Sequence, residues 1–524
     1  MAQRAQPLGP GTWAGMAVAI LVLGLTLGTL GAVFARAEDA AAFGPGDWAA
    51  LRFTLVQATL SAVLSVLLAI PVARALARRA FRGRGWLITL LGAPFILPVI
   101  VAILGLLAVF GRNGLFNQGL QVLGIAPPSI YGLQGVVLAH VFFNLPLATR
   151  LILQGWQSIP AERFRLAASL GFTTRDVNRW LERPMLRTVL PGAIVVIFVV
   201  CLTSFAVALT LGGGPGATTI ELAIYQAFRF EFDLGRAALL SLVQFALSAL
   251  AAGLAAWVAL PAFGGAGLDR VPQRWDAGNP LARVADTAWI VLAALFLIVP
   301  LAMVVASGLP TIGQLPASVL MAALRSFLVA LGSAALMLLL ALPLAIATVR
   351  LGRHPAGAAL EVTGALSIAA SPLVIGTGLF ILLFPVTDPV VLALPVTALV
   401  NAVMSLPFAM RALVPALRET EAAHGRLADS LGMTGWARLR FLVLPRLRRP
   451  IGFATGLAAA LSMGDLGVIA LFADPTQATL PLQLYRLMAA YRMDEAAGAA
   501  LLLLTLSLLL FWIFDRGGRG NAAT

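Results

Sequence analysis

The chain has 524 residues, 60% of them hydrophobic and 11% charged, with a mean hydropathy of +0.95. That leaves too little polar surface for a soluble enzyme of this size and calls for hydrocarbon around most of the molecule. The net charge of +14 comes from arginine, since lysine is absent. Arginines that flank apolar spans answer anionic headgroups and topology, so membrane lipid is an expected partner and nucleic acid is not. The single cysteine, Cys201, excludes an intramolecular disulfide or a cysteine metal cluster.

Apolar stretches long enough to span a bilayer, at least about 18 residues, fall near 13–35, 53–77, 87–110, 130–153, 189–211, 237–260, 284–307, 326–349, 358–384, 390–413, 451–472 and 496–514. They predict an all-α integral membrane protein of about twelve transmembrane helices, six in each half. The first, between Arg4 and Arg36, has the outline of a signal peptide, but it is too long for one and is expected to stay as an uncleaved helix. With the N-terminus inside, the cytoplasmic side collects Arg74, Arg78, Arg79, Arg82, Arg84, Arg350, Arg353, Arg516 and Arg519, while Glu38, Asp39, Asp47, Glu221, Glu231 and Asp233 lie outside. The positive-inside rule then predicts both termini in the cytoplasm.

Leu-Pro-x-Ala-x-Arg at 145–150 recurs at 406–411, an offset of 261. The same offset relates Arg165–Arg187 to Arg426–Arg448, with twelve identities in 23 positions of polar sequence. The chain is therefore two fused copies of one unit with pseudo-twofold symmetry. The copies are expected at 1–262 and 284–524, joined by a cytoplasmic linker at 263–283. Pro71 matches Pro343 and Pro98 matches Pro372, while the outer loop near 111–129 is longer than its counterpart.

Each repeated segment has a physical reading. Leu166 and Leu170, like Leu427 and Leu431, are spaced i, i+4 and make one apolar stripe on a short helix. Gly171 and Gly432 supply the left-handed residue that ends such a helix. Thr173 with Asp176 predicts a capping box for the next one, and Pro184 and Pro445 suit the turn back towards the membrane. An ordinary amphipathic surface helix would explain one such loop, whereas repetition at equal spacing favours a docking function for both.

These segments, 156–188 and 415–450, resemble the EAA loop of binding-protein-dependent ABC importers, the part of the permease that docks onto its ATPase. The match covers Arg165, Leu166, Ala167, Leu170 and Gly171, and Arg426, Leu427, Ala428, Leu431 and Gly432. Arginine stands at 165 and 426 where the family consensus has glutamate, so any salt bridge from that glutamate is lost. The resemblance implies two copies of a cytoplasmic ABC ATPase. No Gly-x-x-x-x-Gly-Lys-Ser/Thr motif is present and no lysine could complete one. ATP and magnesium are thus expected in the partner, with no cofactor in this chain and no enzymatic activity of its own.

Tyr131–Pro146, Leu211–Gln226 and Ser462–Val468 look like stretches of the fused permeases of bacterial thiamine and thiamine-pyrophosphate ABC importers. This implies a multi-pass protein of the bacterial inner membrane that moves substrate inward from a periplasmic thiamine-binding protein. Fused ferric-iron permeases share the plan and remain an alternative. A twelve-helix secondary transporter is an alternative of another class, but it would have no use for paired docking loops.

Candidates along the path are Asp465, Ser462, Ser204, Asn401 and Asn144. Asp465 falls inside the eleventh span, where a carboxylate costs a few kcal/mol, about 2.5–3.5, unless it faces the bundle interior or finds partners. Set opposite Val207 in the first copy, it is a one-sided acid that either counters the thiazolium charge or bonds between helices beside Gly464 and Gly467. His140 and Asn144, at i, i+4, are expected to be polar glue between helices rather than a metal site. Gly213, Glu221, Tyr225 and Tyr485 are candidates for an outer gate or a binding-protein contact.

Overall fold

The computed structural model describes residues 10–37, 43–92, 96–258, 278–352, 354–368, 370–472 and 475–519. The first copy comprises α1 (Pro10–Ala37), α2 (Pro45–Arg78), α3 (Arg84–Leu90), α4 (Val99–Phe110), α5 (Leu115–Val122), α6 (Leu133–Gln157), α7 (Ala161–Ser169), α8 (Thr174–Val177), α9 (Arg183–Leu202), α10 (Phe205–Leu211), α11 (Ile220–Arg229) and α12 (Leu234–Val258). The second comprises α13 (Pro280–Gly308), α14 (Ala317–Leu351), α15 (Pro355–Ala365), α16 (Pro372–Leu383), α17 (Ala393–Ser430), α18 (Gly435–Arg438), α19 (Leu444–Met463), α20 (Gly467–Phe472), α21 (Leu480–Ala489) and α22 (Met493–Gly518). No strand occurs among the described residues. Most of the expected linker lies outside them, but its last residues, 280–283, already form the first turn of α13.

Among the described residues, eleven helical segments are long and apolar enough to cross a membrane, and the short apolar α16 completes the expected twelve. Four expected spans are interrupted, however. The third divides into α3 and α4, the fifth into α9 and α10, the ninth into α15 and α16, and the eleventh into α19 and α20. Hydropathy does not see these breaks because the residues on both sides are apolar. Pro98 precedes α4 and Pro372 opens α16, where a missing N–H costs nothing.

The copies interlock through their leading helices. α1 packs on α14 and α16 of the second copy, and α13 packs on α2 and α4 of the first. Both crossings need glycine. A Cβ on Gly378 of α16 would stand 2.5 Å from the Thr29 carbonyl of α1, and one on Gly105 of α4 would stand 2.5 Å from the Pro300 carbonyl of α13. Small residues here let backbones approach closely, which is how helices gain packing energy in lipid.

One crossing is also fastened by charge. Asp286, buried near the start of α13, accepts hydrogen bonds from Arg78 at 2.6 Å and Arg79 at 2.8 Å, where α2 ends. Removing the acid leaves two guanidinium groups facing each other in a closed site. Asp286→Ala should therefore cost about 3–5 kcal/mol, read as a large fall in melting temperature of the detergent-solubilised protein. Glu361→Ala, which breaks the exposed Arg418–Glu361 pair, should change it little.

Candidate functional site

The repeated segments fold as twin units. α7 and the last turns of α17 end at Gly171 and Gly432, both left-handed, with φ of +69° and +65°. Their leucines point away from the protein: Leu166, Leu170, Leu427 and Leu431 are 60, 63, 59 and 67% exposed. Ala167 and Ala428 are buried on the opposite face. Arg165 and Arg426 are exposed, and Arg165 pairs with Glu162 at 2.7 Å. The capping box forms as expected: Thr173 N–H donates to Asp176 Oδ2 at 2.9 Å, and Asp176 N–H to Thr173 Oγ1 at 3.4 Å.

Between each of these helices and the next span lies a π-helical turn, Asn178–Glu182 in one copy and Leu439–Val443 in the other. The extra residue re-aims the chain into α9 and α19 at Pro184 and Pro445. Sequence periodicity had no signal for these turns. It also missed two ion clusters beside them, Arg74–Glu182 and Arg438 with Glu421 and Asp429.

The breaks in the spans meet at the centre. A Cβ on Gly464 would lie 3.0 Å from Pro98, and one on Gly467 would lie 3.9 Å from the Phe205 ring and 4.0 Å from Pro372. Around them sit two related polar clusters. In the first copy, the His140 ring lies between Ser61 Oγ, 3.2 Å from Nδ1, and Ser204 Oγ, 2.7 Å from Nε2. Asn144 donates to the His140 carbonyl at 2.8 Å. Asn144 also reaches Cys201 Sγ of α9 at 3.4 Å, so His140 and Asn144 both bond between helices. In the second copy Ser462 Oγ meets Ser333 Oγ at 2.8 Å and accepts from Asn401 Nδ2 at 3.0 Å.

Asp465 lies in the turn between α19 and α20 rather than within a continuous helix. Its Oδ1 accepts the Gly467 N–H at 3.2 Å, and Asn401 lies alongside. Its counterpart in the first copy is Ser204, not Val207, because both occupy the same non-helical turn, 261 residues apart. The path candidates thus gather in two groups: Asn144 with Ser204, and Asn401, Ser462 and Asp465 together.

The outer candidates separate. Tyr225 is buried edge-on against Phe205, ring centroids 5.2 Å apart, and is near enough to half-buried Tyr485 to interact electrostatically with it. Gly213, with φ +77°, sits against Tyr131, whose Cβ would be 3.0 Å from a Cβ added there. Glu221 is fully buried beside Ser371 and Gln244, so it faces the protein interior and is not available to an outside partner.

No protein-family model matches the chain. The thiamine transport system permease protein ThiP of Brucella abortus (strain 2308) is 42% identical over 485 residues, covering 91% of this chain and 89% of that protein. The ThiP of Salmonella typhimurium is 40% identical over 536 residues and 98% of both chains. That of Escherichia coli (strain K12) is 40% identical over 541 residues and the whole of both. Identity at this level over nine-tenths or more of the chain shows that it belongs to the family of thiamine transport system permeases.

Proposed function

We propose that this chain forms the inward path for thiamine, thiamine pyrophosphate or both across the bacterial inner membrane. Two copies of a cytoplasmic ABC ATPase, which bind ATP and magnesium, would drive it, and a periplasmic thiamine-binding protein would deliver the substrate. The observation that carries this reading is the pair of docking helices, each presenting two exposed leucines at the same spacing beside the same left-handed glycine. A monomer gains nothing from leaving two leucines in water twice over, whereas an ATPase subunit on each would cover them. The names of the relatives support thiamine as substrate, and their likeness leaves the ferric-iron and secondary-transporter readings without support.

In this reading both docking units and both termini face the cytoplasm, and the copies join within 263–283. ATP-driven motion of the docking helices reaches the turns at Ser204 and Asp465, which lie at the far ends of α9 and α19. Asp465 offers a carboxylate at the meeting point of the breaks, suited to the cationic thiazolium as it passes. Tyr225 and Tyr485 form the outer gate, with Gly213 at its rim.

The permease purified alone should hydrolyse no ATP, and its ATPase should co-purify with it. Gly171→Val with Gly432→Val forces β-branched residues into left-handed turns at about 1–3 kcal/mol each. In liposomes carrying the full complex, thiamine uptake should fall at least about tenfold per ATP hydrolysed, with the permease still inserted. Wild-type uptake in the double variant would remove the docking assignment.

Asp465→Asn keeps size and hydrogen bonding but removes the charge. A charge-assisted contact is worth about 1.5–3 kcal/mol, so thiamine uptake should fall about tenfold or more relative to uptake of the anionic pyrophosphate ester. Equal loss for both substrates would assign Asp465 to helix packing.

A further inference from the structure

The two docking units share a backbone, but opposite chemistry fastens them. In the first, Phe164 on the inner face of α7 and Val177 after it are buried in one apolar cluster. In the second, Gly425 and Arg438 occupy those positions, and Glu421 and Asp429 stand where the first has Pro160 and Ala168. Arg438 pairs with both acids, its Nε 3.2 Å from Glu421 Oε1. A Cβ on Gly425 would come within 2.9 Å of Glu421 Oε2 and 3.3 Å of Arg438 Nη2. The ion cluster thus takes the space that the phenyl ring fills in the first unit.

A second interchange runs the other way. Glu182, buried in the first π-turn, pairs with Arg74 of α2 at 2.9 Å. The counterparts in the second copy are Val443 and Ile346, and the contact there is apolar.

The chain path differs as well. α17 runs as one helix for 38 residues from Ala393 to Ser430, through Pro407 and Pro415, so a single rod carries Asn401 and Leu427, with Leu431 at its C-cap. In the first copy Pro160, with no N–H and a ring that clashes with the preceding turn, separates α7 from α6. There the tie from docking unit to membrane is the Glu182–Arg74 pair, which leads onto α2, the helix that holds Ser61 against His140.

We infer that the two ATP-driven inputs enter the membrane by different routes. The second travels along the continuous α17 and so acts on Asn401, Ser462 and Asp465. The first acts through Glu182 and Arg74 on α2, and so on Ser61, His140 and Ser204. The inference rests on the docking role proposed above.

The test uses the complete complex in liposomes and measures ATP hydrolysed per radiolabelled thiamine moved. Ala423 is exposed on α17 between the docking leucines and the membrane. Ala423→Pro breaks the rod without removing any member of the Arg438 cluster, whereas Ala423→Gly keeps the N–H. The proline variant should raise the ratio at least about tenfold and the glycine variant less than about twofold, since interior proline disrupts a helix far more than glycine does. Glu182→Gln should raise it severalfold. In the double variant of Ala423→Pro and Glu182→Gln the two factors should multiply, as independent routes require. If the proline variant does not insert, the double glycine variant at Ala422 and Ala423 should shift the ratio in the same direction by a smaller factor. A double variant no worse than the worse single one, or α17 variants without effect, overturns the inference. If Gly171→Val with Gly432→Val also leaves the ratio unchanged, the docking reading itself has failed.

Discussion

A helix that stops inside hydrocarbon frees carbonyls and amides that have no water to turn to, and this protein stops helices there repeatedly. The rest of the architecture answers that constraint. Where α9 ends, the Cys201 carbonyl accepts from Gln57 of α2 and the Leu202 carbonyl from Gln244 of α12, each at 3.0 Å. At the start of α11 the Ile220 N–H donates to Thr54 of α2 at 2.9 Å. At the related start of α21 the Leu480 N–H donates to Ser326 of α14 at 2.8 Å. Ser371 caps α16 by accepting from Val374 at 3.1 Å, and Asp465 serves the Gly467 N–H in the same way. Buried glutamines, serines and threonines in an otherwise apolar bundle thus serve the breaks, and the breaks bring non-helical backbone to the centre.

Satisfying these groups requires long, closely packed neighbours, and the interlocked leading helices supply part of the packing. α1 and α13 each reach across to the other copy while also packing on the last helix of their own, at glycines that admit a neighbouring backbone carbonyl. With Asp286 holding Arg78 and Arg79, the copies are joined through their cores and not only through a linker.

Gene fusion lets the copies diverge in chemistry while their backbones stay paired. The π-turns, the left-handed glycines and the serine pair Ser61 and Ser333 coincide in both copies. The groups they present do not: His140 stands opposite Asn401, Cys201 opposite Ser462, and Ser204 opposite Asp465. A homodimer could not carry a single carboxylate at its centre. A fused chain can.

The sequence by itself determined what depends on local pattern. The apolar spans, the repeat at 261 residues, the glycine-ended docking helices and the Thr173–Asp176 capping box follow from period, spacing and backbone preference within a few residues. Only the tertiary structure decided what depends on distant partners. Hydropathy averages over the breaks, so Asp465 was read as a residue within a helix and set against Val207, when its turn matches that of Ser204. The π-turns add one residue without changing composition. Glu221 has the polarity of a surface residue, yet it is buried because α12 and α16 bring Gln244 and Ser371 to it. The ion clusters around Arg438, Glu182 and Asp286 join residues up to 208 positions apart. Opposite charges at such separations carry no periodic signal, and only the packed helices determine which of them meet.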